Sequence, residues 1–196
     1  DPVAAVFAED AYIAEDAAEL VVLDLDPLPV LVNADDPPQD FKDGQTTEAA
    51  IVGQGYGDID GSFANAFKIV EIDVKIGRHS GVPLECRGGI GRYDAARDVL
   101  ELHGAAKVPH RNRETLCRML GRPAAGVHLY EGHTGGGFGV RGELYPEDVL
   151  VCASAMRLGR PVKWCDDRSG SMVSDQHGRD SWAEATLAFD AAQLSR

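Results

Sequence analysis

Alternation of apolar and polar side chains is clearest at 67–78. Ile72, Val74 and Ile76 alternate with charged residues, and this period of two predicts a strand with one buried and one solvated face. Shorter patterns predict further strands at 3–7, 23–26, 84–93, 99–103, 127–130, 161–165 and 181–189. The turn residues between 84–93 and 99–103 favour an antiparallel hairpin.

Helical spacing and end signals mark three other segments, at 11–19, 110–120 and 146–158. Asp10 is placed to cap the first helix, and Gly121 suits the position after the second. Pro146 fits a first helical turn, and Gly159 follows the last. The third helix is apolar on nearly every side, which predicts that it is buried.

The order of these elements predicts a mixed α+β fold. A strand, a glycine-rich loop, a buried helix and a strand follow one another between 127 and 165, which predicts one βαβ unit. Residues 33–58 are instead rich in Asp, Pro, Gly and Gln, which is typical of a linker. The glycines at 53, 55 and 57 favour a turn over a phosphate loop, because no strand precedes them.

Composition and charge exclude several classes of function. With 44% hydrophobic and 26% charged residues, the sequence is typical of folded globular proteins. The net charge of −13 argues against a nucleic-acid partner, because phosphate binding needs a basic surface. No apolar run reaches the roughly 20 residues of a membrane span. The sequence opens at Asp1 inside a predicted strand without an initiator Met, so we expect a fragment of a longer protein.

None of the four cysteines, at 86, 117, 152 and 165, forms a C-x-x-C pair. Cys117 and Cys152 fall on predicted helices among apolar neighbours. This arrangement is typical of buried thiols in a reducing compartment. It predicts a cytoplasmic protein without a metal site built from cysteines.

The most informative segment is residues 131–144, the glycine loop, which contains Gly-Gly-Gly-Phe-Gly at 135–139. Glycine permits positive φ and lets another group approach the backbone closely. Backbone amides near the start of a helix form a ready anion site. A cofactor phosphate and an oxo-metal group are therefore both candidate ligands, and the alternative is a loop that only packs tightly.

The spacing Gly137-x-Gly139-x-x-Gly142 also matches the dinucleotide fingerprint. Asp166 and Asp167 lie at roughly the distance of the acid that binds ribose in that fold. The four residues between the preceding strand and the glycines weaken this match. A nucleotide site for NAD or FAD stays as the alternative interpretation.

Several segments, taken in order, resemble the large subunits of the molybdenum hydroxylases, the family of xanthine dehydrogenase, aldehyde oxidase and aerobic carbon monoxide dehydrogenase. The resemblance rests on Thr134–Gly139, Pro2–Leu28, Pro83–Gly88, Tyr93-Asp94, Pro109-His110, Arg113, Gly159–Trp164 and Asp167-Arg168. It implies that residues 1–32 end an α/β hammerhead domain, that 33–58 are a linker, and that 59–196 begin a molybdopterin-binding domain.

The resemblance also implies the ligand. Gly136, Gly137, Phe138 and Gly139 are expected to contact molybdopterin, in its cytosine dinucleotide form, with main-chain groups near the molybdenum oxo ligand. Lys107 occupies the position where many members have a Gln that bonds this oxo group. The parent enzyme is expected to oxidise an aldehyde, an N-heterocycle or CO with oxygen from water.

The expected partners are the rest of the large subunit, iron–sulfur and FAD subunits or domains, and further copies of the parent. The family's catalytic glutamate lies beyond the matched residues, so no catalytic residue and no protein ligand to a metal is expected here. We expect this fragment alone to be inactive and to lack stoichiometric molybdenum and cofactor.

Four side chains near the matched motifs have less specific expectations. His133 is expected to be exposed on the loop, and Trp164 to belong to the core. Glu85 and Arg87 are expected to form a structural ion pair.

Overall fold

The computed structural model describes residues 2–28, 30–104 and 108–192. The chain divides into a sheet unit, Asp1–Phe7 with His79–Gly178, and a ribbon unit, Ala8–Arg78 with Arg179–Arg196. Along the described residues the elements are α1 Ala11–Ala18, β1 Asp40–Lys42, β2 Gln45–Thr46, α2 Ile59–Ala64, β3 Lys68–Ile76, β4 Gly88–Asp94, β5 Val99–Gly104, α3 Pro109–Leu120, β6 Val127–Tyr130, α4 Pro146–Leu158, β7 Val162–Cys165, α5 Arg168–Ser174 and β8 Ser181–Phe189. This content confirms the mixed α+β fold.

A four-stranded sheet with the order β6-β5-β4-β7 organises the sheet unit. Strand β4 pairs antiparallel with both β5 and β7, whereas β5 and β6 run parallel. The predicted hairpin is therefore confirmed. Strands β6 and β7 point the same way at opposite edges, so β6, α4 and β7 form the predicted crossover. The crossover from β5 through α3 to β6 is a second one that the sequence analysis did not predict.

Both long helices of the sheet unit pack on its sheet. The buried cluster combines strand residues with α3 and α4, and consists of Leu100, Leu102, Leu116, Cys117, Val127, Val151 and Cys152. Each large aliphatic side chain buried in this way contributes about 1.5–3 kcal/mol. The predicted burial of the thiols of Cys117 and Cys152 is confirmed. Helix α4 is buried on one side only, since Leu150 and Leu158 are 38% and 50% exposed.

Helix ends follow the local signals in the sequence. The Asp10 carboxylate accepts a hydrogen bond from the Ile13 amide at 2.9 Å and caps α1. Gly121 and Gly159 end α3 and α4 in the left-handed region, each with φ of 63°. Only glycine adopts this conformation without steric cost, so both predicted helix ends are confirmed.

In the ribbon unit, β3 and β8 pair antiparallel along their whole length, from Lys68 opposite Phe189 to Ile76 opposite Ser181. Both strands are confirmed, but the predicted burial of one face of β3 is wrong. Ile72 is 45% exposed, and Val74 and Ile76 are each 43% exposed. A two-stranded sheet buries an apolar face only when another element packs over it.

Two other predicted strands differ from the structure. Residues 3–7 and 23–26 are irregular rather than strands, because neither segment finds a partner strand among the described residues. The predicted linker contains the hairpin of β1 and β2, and α2 follows it. Helix α5 was not predicted, because its short Ser- and Gly-containing sequence has low helix propensity.

Among the described helices, none has the length and apolar character that crossing a membrane requires.

Gly91 lets α4 lie directly on β4. A Cβ atom at this position would be 2.6 Å from the Val151 carbonyl carbon and 2.8 Å from the Cys152 amide nitrogen. We expect Gly91→Ala to lower the free energy of unfolding by about 1–3 kcal/mol, because the helix backbone must move away from the sheet. Urea unfolding of the purified protein measures this.

Gly132→Ala is the matched control, because a Cβ atom there meets nothing within 4 Å. We expect this variant to stay within about 0.5 kcal/mol of the unchanged protein. Equal stability of the two variants would contradict the close packing of α4 on β4.

Candidate functional site

The glycine loop leaves the carboxyl end of β6 and leads into α4. Strand β5 runs parallel to β6, and His103 lies opposite Tyr130 at the same end of the sheet. Ligands of α/β proteins commonly bind outside the carboxyl ends of parallel strands. Lys107, which follows β5, lies outside the described residues.

Three residues with positive φ give the loop its shape. Gly136, Phe138 and Gly139 have φ values of 110°, 47° and 96°. For Phe138 this left-handed backbone costs about 1–3 kcal/mol, which the surrounding structure must offset. Its side chain is 73% exposed, so burial of the phenyl ring does not offset that cost.

Room beside the loop differs from one glycine to the next. A Cβ atom on Gly136 would lie 2.9 Å from the Phe138 ring and 3.2 Å from Pro83. On Gly139 it would meet nothing within 4 Å. The loop is therefore packed against the protein at Gly136 and open to an approaching group at Gly139.

The loop carries a run of free amides. The Gly135 amide donates to Glu85 Oε2 at 2.6 Å, and the Val140 amide donates to the Gly137 carbonyl at 2.9 Å. Between them, the amides of 136–139 donate to no acceptor in the described part of the chain. Successive free amides favour an anion or an oxo group, because each carries a partial positive charge.

The buried guanidinium of Arg141 bonds the loop to segment 83–86. Arg141 is 4% exposed and donates to the carbonyls of Glu85 and Cys86 at 2.6 and 2.7 Å. Its guanidinium is also 3.4 Å from Glu85 Oε2, the same oxygen that accepts from the Gly135 amide. Arg141 and Glu85 therefore fix the two ends of the Gly135–Gly139 run.

Segment 83–86, against which the loop packs, is itself held by a second arginine. Arg168 donates to the carbonyls of Pro83 and Leu84 at 2.8 and 2.7 Å. A Cβ atom on the nearby Gly81 would lie 3.0 Å from the Phe138 carbonyl oxygen. The strained backbone at Phe138 thus rests on a rigid support.

The predicted ion pair between Glu85 and Arg87 is wrong, because each side chain has other partners. Arg87 is buried and bonds to Asp175, to Glu147 at 3.2 Å and to Asp166 at 3.5 Å. Burial alone would lower the pKa of Arg87, but the hydrogen bonds and charges of Asp175 and Glu147 raise it above its usual value.

This Arg87 cluster reaches the glycine loop through one tyrosine. The Arg87 guanidinium lies 3.8 Å above the centre of the Tyr145 ring. The Tyr145 hydroxyl donates to the Val140 carbonyl at 2.7 Å, next to Arg141. The guanidinium thereby orients the ring that holds the end of the loop.

Burial controls the acid–base properties of the surrounding groups. It raises the pKa values of Asp148, Asp166 and Tyr145 above their usual ranges. Burial also raises the pKa of the Cys152 thiol to about 12, which keeps this cysteine protonated and unreactive.

The remaining predicted side chains occupy varied places. His133 is exposed and Trp164 packs partly buried against the core, as expected. Glu143 pairs with Arg111 at 3.5 Å on the surface. The Asp167 carboxylate caps α5 by accepting from the Gly170 amide at 2.6 Å. The described residues contain no group of three or more His, Cys, Asp or Glu that could hold a metal ion.

Sequence reasoning missed the roles of Arg141 and Arg168. Their acceptors are main-chain carbonyls 55 and 56, or 84 and 85, residues away. Backbone carbonyls leave no mark in a sequence. A charged residue directly after an apolar one, as Arg141 follows the buried Val140, is only a weak indication that the charged side chain is buried.

Comparison with known proteins identifies a common architecture. The molybdopterin cofactor-binding domain family matches residues 41–193. The chain is 40% identical over 97% of its length to the 6-hydroxypseudooxynicotine dehydrogenase complex subunit gamma of Paenarthrobacter nicotinovorans. It is 31% identical over 97% of its length to the nicotine 6-hydroxylase large subunit of the same organism. It covers 24% of each of these relatives.

A solved structure shows the same fold. The structure of reconstituted CO dehydrogenase from Oligotropha carboxidovorans superimposes with a TM-score of 0.78 at 29% identity. The match covers 93% of this chain and 25% of the solved one. The chain therefore spans about a quarter of the length of these three proteins.

Replacing Arg141 by Lys tests the support beneath the loop. Lysine keeps the charge but loses the fork that reaches two carbonyls. Loss of one charged hydrogen bond, worth about 1.5–3 kcal/mol, is expected to speed hydrogen exchange in 131–145 tenfold or more. Mass spectrometry of the purified protein measures this exchange. Unchanged exchange in 131–145 would contradict the role of Arg141, and Arg111→Lys, at an exposed pair, is the control.

The buried Asp148 predicts a dependence of stability on pH. Its pKa is raised above the usual 3.8, so the folded protein holds this proton more tightly than the unfolded chain. The stability that results is complete below the unfolded pKa and is lost as the pH rises through the folded pKa. As the pH rises from the unfolded pKa through the folded pKa of Asp148, we expect the free energy of unfolding of Asp148→Asn to fall less than that of the unchanged protein.

Urea unfolding between about pH 4 and 7 measures the difference, because asparagine can still accept from the Tyr145 amide as Asp148 does at 3.0 Å. Glu143→Gln, on the surface, is the control. Parallel pH profiles for Asp148→Asn and the unchanged protein would contradict the expectation.

Proposed function

The chain belongs to the molybdopterin cofactor-binding domain family of the molybdenum hydroxylase large subunits, and we propose that its glycine loop forms one wall of the cofactor site in the parent enzyme. The observation that carries the proposal is the run of amides at 136–139, which find no acceptor in the described part of the chain. Open space at Gly139 gives a cofactor access to them.

Gly136, Gly137, Phe138 and Gly139 are the residues that would hold the cofactor, through their main chains. Molybdopterin with its molybdenum supplies oxygen and electron transfer when bound. The amides donate to an oxo or phosphate oxygen, and glycine side chains leave the donors uncovered. This chemistry fits the geometry of the loop, because no carboxylate is held against these amides except that of Glu85 at Gly135.

The buried support explains how such donors assist a reaction. Arg141 and Glu85 hold the loop in place before any ligand arrives, so the amides need no reorganisation when charge develops beside them. In other enzymes, one preorganised donor of this kind lowers the barrier by about 2.7–4 kcal/mol. Arg141, Glu85 and Tyr145 are therefore positioning residues, and the amides are the contacting groups.

The parent is proposed to oxidise a small N-heterocycle with oxygen from water. Two relatives are named for nicotine compounds, which favours this class over an aldehyde or CO. The names of those relatives, a complex subunit and a large subunit, support further subunits in the parent. We propose that these subunits carry iron–sulfur clusters and FAD.

Several finer assignments stay predictions. These are the cytosine dinucleotide form of the cofactor, assembly of several parent copies, a cytoplasmic location, contact of Lys107 with the molybdenum centre, and the division at 1–32, 33–58 and 59–196. The nucleotide interpretation is not favoured, because the matching family binds molybdopterin.

Gly139→Ala in the full-length parent tests the proposal. Position 139 has φ of 96°, and an added methyl group would enter the open space beside the amides. We expect molybdenum and pterin content, or turnover by the loaded enzyme, to fall at least tenfold, about 1.4 kcal/mol. Elemental analysis and a turnover assay measure the two quantities.

Gly121→Ala is the control, because Gly121 also has positive φ and open surroundings but ends α3. Unchanged cofactor content and turnover in Gly139→Ala would show a loop that only packs. The isolated chain is expected to be inactive and to hold less than stoichiometric molybdenum. Tight binding of NAD, FAD or ATP by the isolated chain would favour the nucleotide interpretation instead.

A further inference from the structure

The ribbon unit has no core of its own. Every buried apolar residue among the described residues lies in the sheet unit. In the ribbon unit, no described residue is buried, although β3 and β8 are regular over nine residue pairs. Ordering a chain costs conformational entropy that only burial of apolar surface offsets on this scale.

Most of the apolar side chains of β3 and β8 lie on one side. Directly opposite residues of an antiparallel pair share a face. The register therefore groups eight apolar side chains into one surface, the ribbon face, with Lys68 and Ser181 at its ends. The eight are Val70, Ile72, Val74, Ile76, Ala183, Ala185, Leu187 and Phe189.

The opposite side of the same strands is charged along its middle. It carries Glu71, Asp73 and Lys75 from β3, with Glu184 opposite Asp73, and its apolar residues, Ile69, Ala188 and Trp182, lie towards the two ends. A side with a charged middle and a side with an unbroken aliphatic row are typical of a sheet with one solvated and one covered face. The ribbon face thus has the composition of a buried surface, although its side chains are exposed to solvent.

We propose that the ribbon face is the docking surface for a further layer of the same parent polypeptide. The relatives provide that polypeptide, because this chain corresponds to only 24% of the length of each of two of them. A second copy of this chain is a poor occupant, since two copies with a net charge of −13 each repel one another. The inference does not depend on what the glycine loop binds.

Hydrogen exchange of the parent large subunit, purified with and without its partner subunits, tests the proposal. Peptides covering β3 and β8 are expected to exchange at least a hundredfold more slowly in the lone large subunit than in residues 1–196 alone. Peptides from β4 and β5 are expected to change much less, because their strands already pack in the core.

Two results would overturn the proposal. Protection that appears only after the partner subunits are added would assign the ribbon face to another subunit. Protection of residues 1–196 alone, whether constant or rising with concentration, would show that no further layer is needed or that a second copy supplies it.

Matched variants in β8 add a second measurement. Ala185→Lys places a charge on the ribbon face, and Thr186→Lys places the same charge opposite Glu71 on the charged side. We expect Ala185→Lys to lower the yield of soluble parent large subunit at least tenfold, and Thr186→Lys to leave it nearly unchanged. Equal yields for the two variants would contradict a covered ribbon face.

Discussion

The hydrogen bonds from the Arg141 guanidinium to the carbonyls of Glu85 and Cys86 hold the candidate site together. They join the glycine loop to a segment that enters the sheet at β4. The Phe138 backbone lies in a region that most residues avoid, and it persists because this support is fixed. The Glu85 carboxylate lies 3.4 Å from this guanidinium, where it offsets part of the positive charge, and the same oxygen accepts from the Gly135 amide at the start of the run.

The two units rely on different sources of stability. The sheet unit buries aliphatic side chains between two helices and four strands, and its charged residues are paired beneath the loop. The ribbon unit has regular hydrogen bonding between β3 and β8 but lacks the burial that makes such pairing durable. Hydrogen bonds alone contribute little net stability, because water bonds to the unfolded backbone almost equally well.

Local signals allowed much of the fold to be predicted from the sequence. The helix ends at Gly121 and Gly159 depend on the conformation of one residue, so the sequence alone was sufficient for them. Burial of the β3 face depends on what packs over the strand, and alternation alone cannot supply that layer. The ion pair expected between Glu85 and Arg87 failed for a similar reason, since Arg87 finds Asp175 across 88 residues. The glycine loop was found by composition, but its arginine support bonds to backbone atoms that a sequence does not distinguish.

The pairing of β3 with β8 has a consequence for biosynthesis. The whole of His79–Gly178 is inserted between these two strands, and Arg78 meets Asp180 at 3.0 Å where the insertion begins and ends. A ribosome releases the inserted segment before β8 exists, so the sheet unit and the glycine loop can form while β3 still lacks its partner. Closing so distant a pair is slow compared with local folding. During that interval the backbone edge of β3 is unpaired and its apolar face is exposed, so we expect a chaperone to bind the nascent chain at this strand.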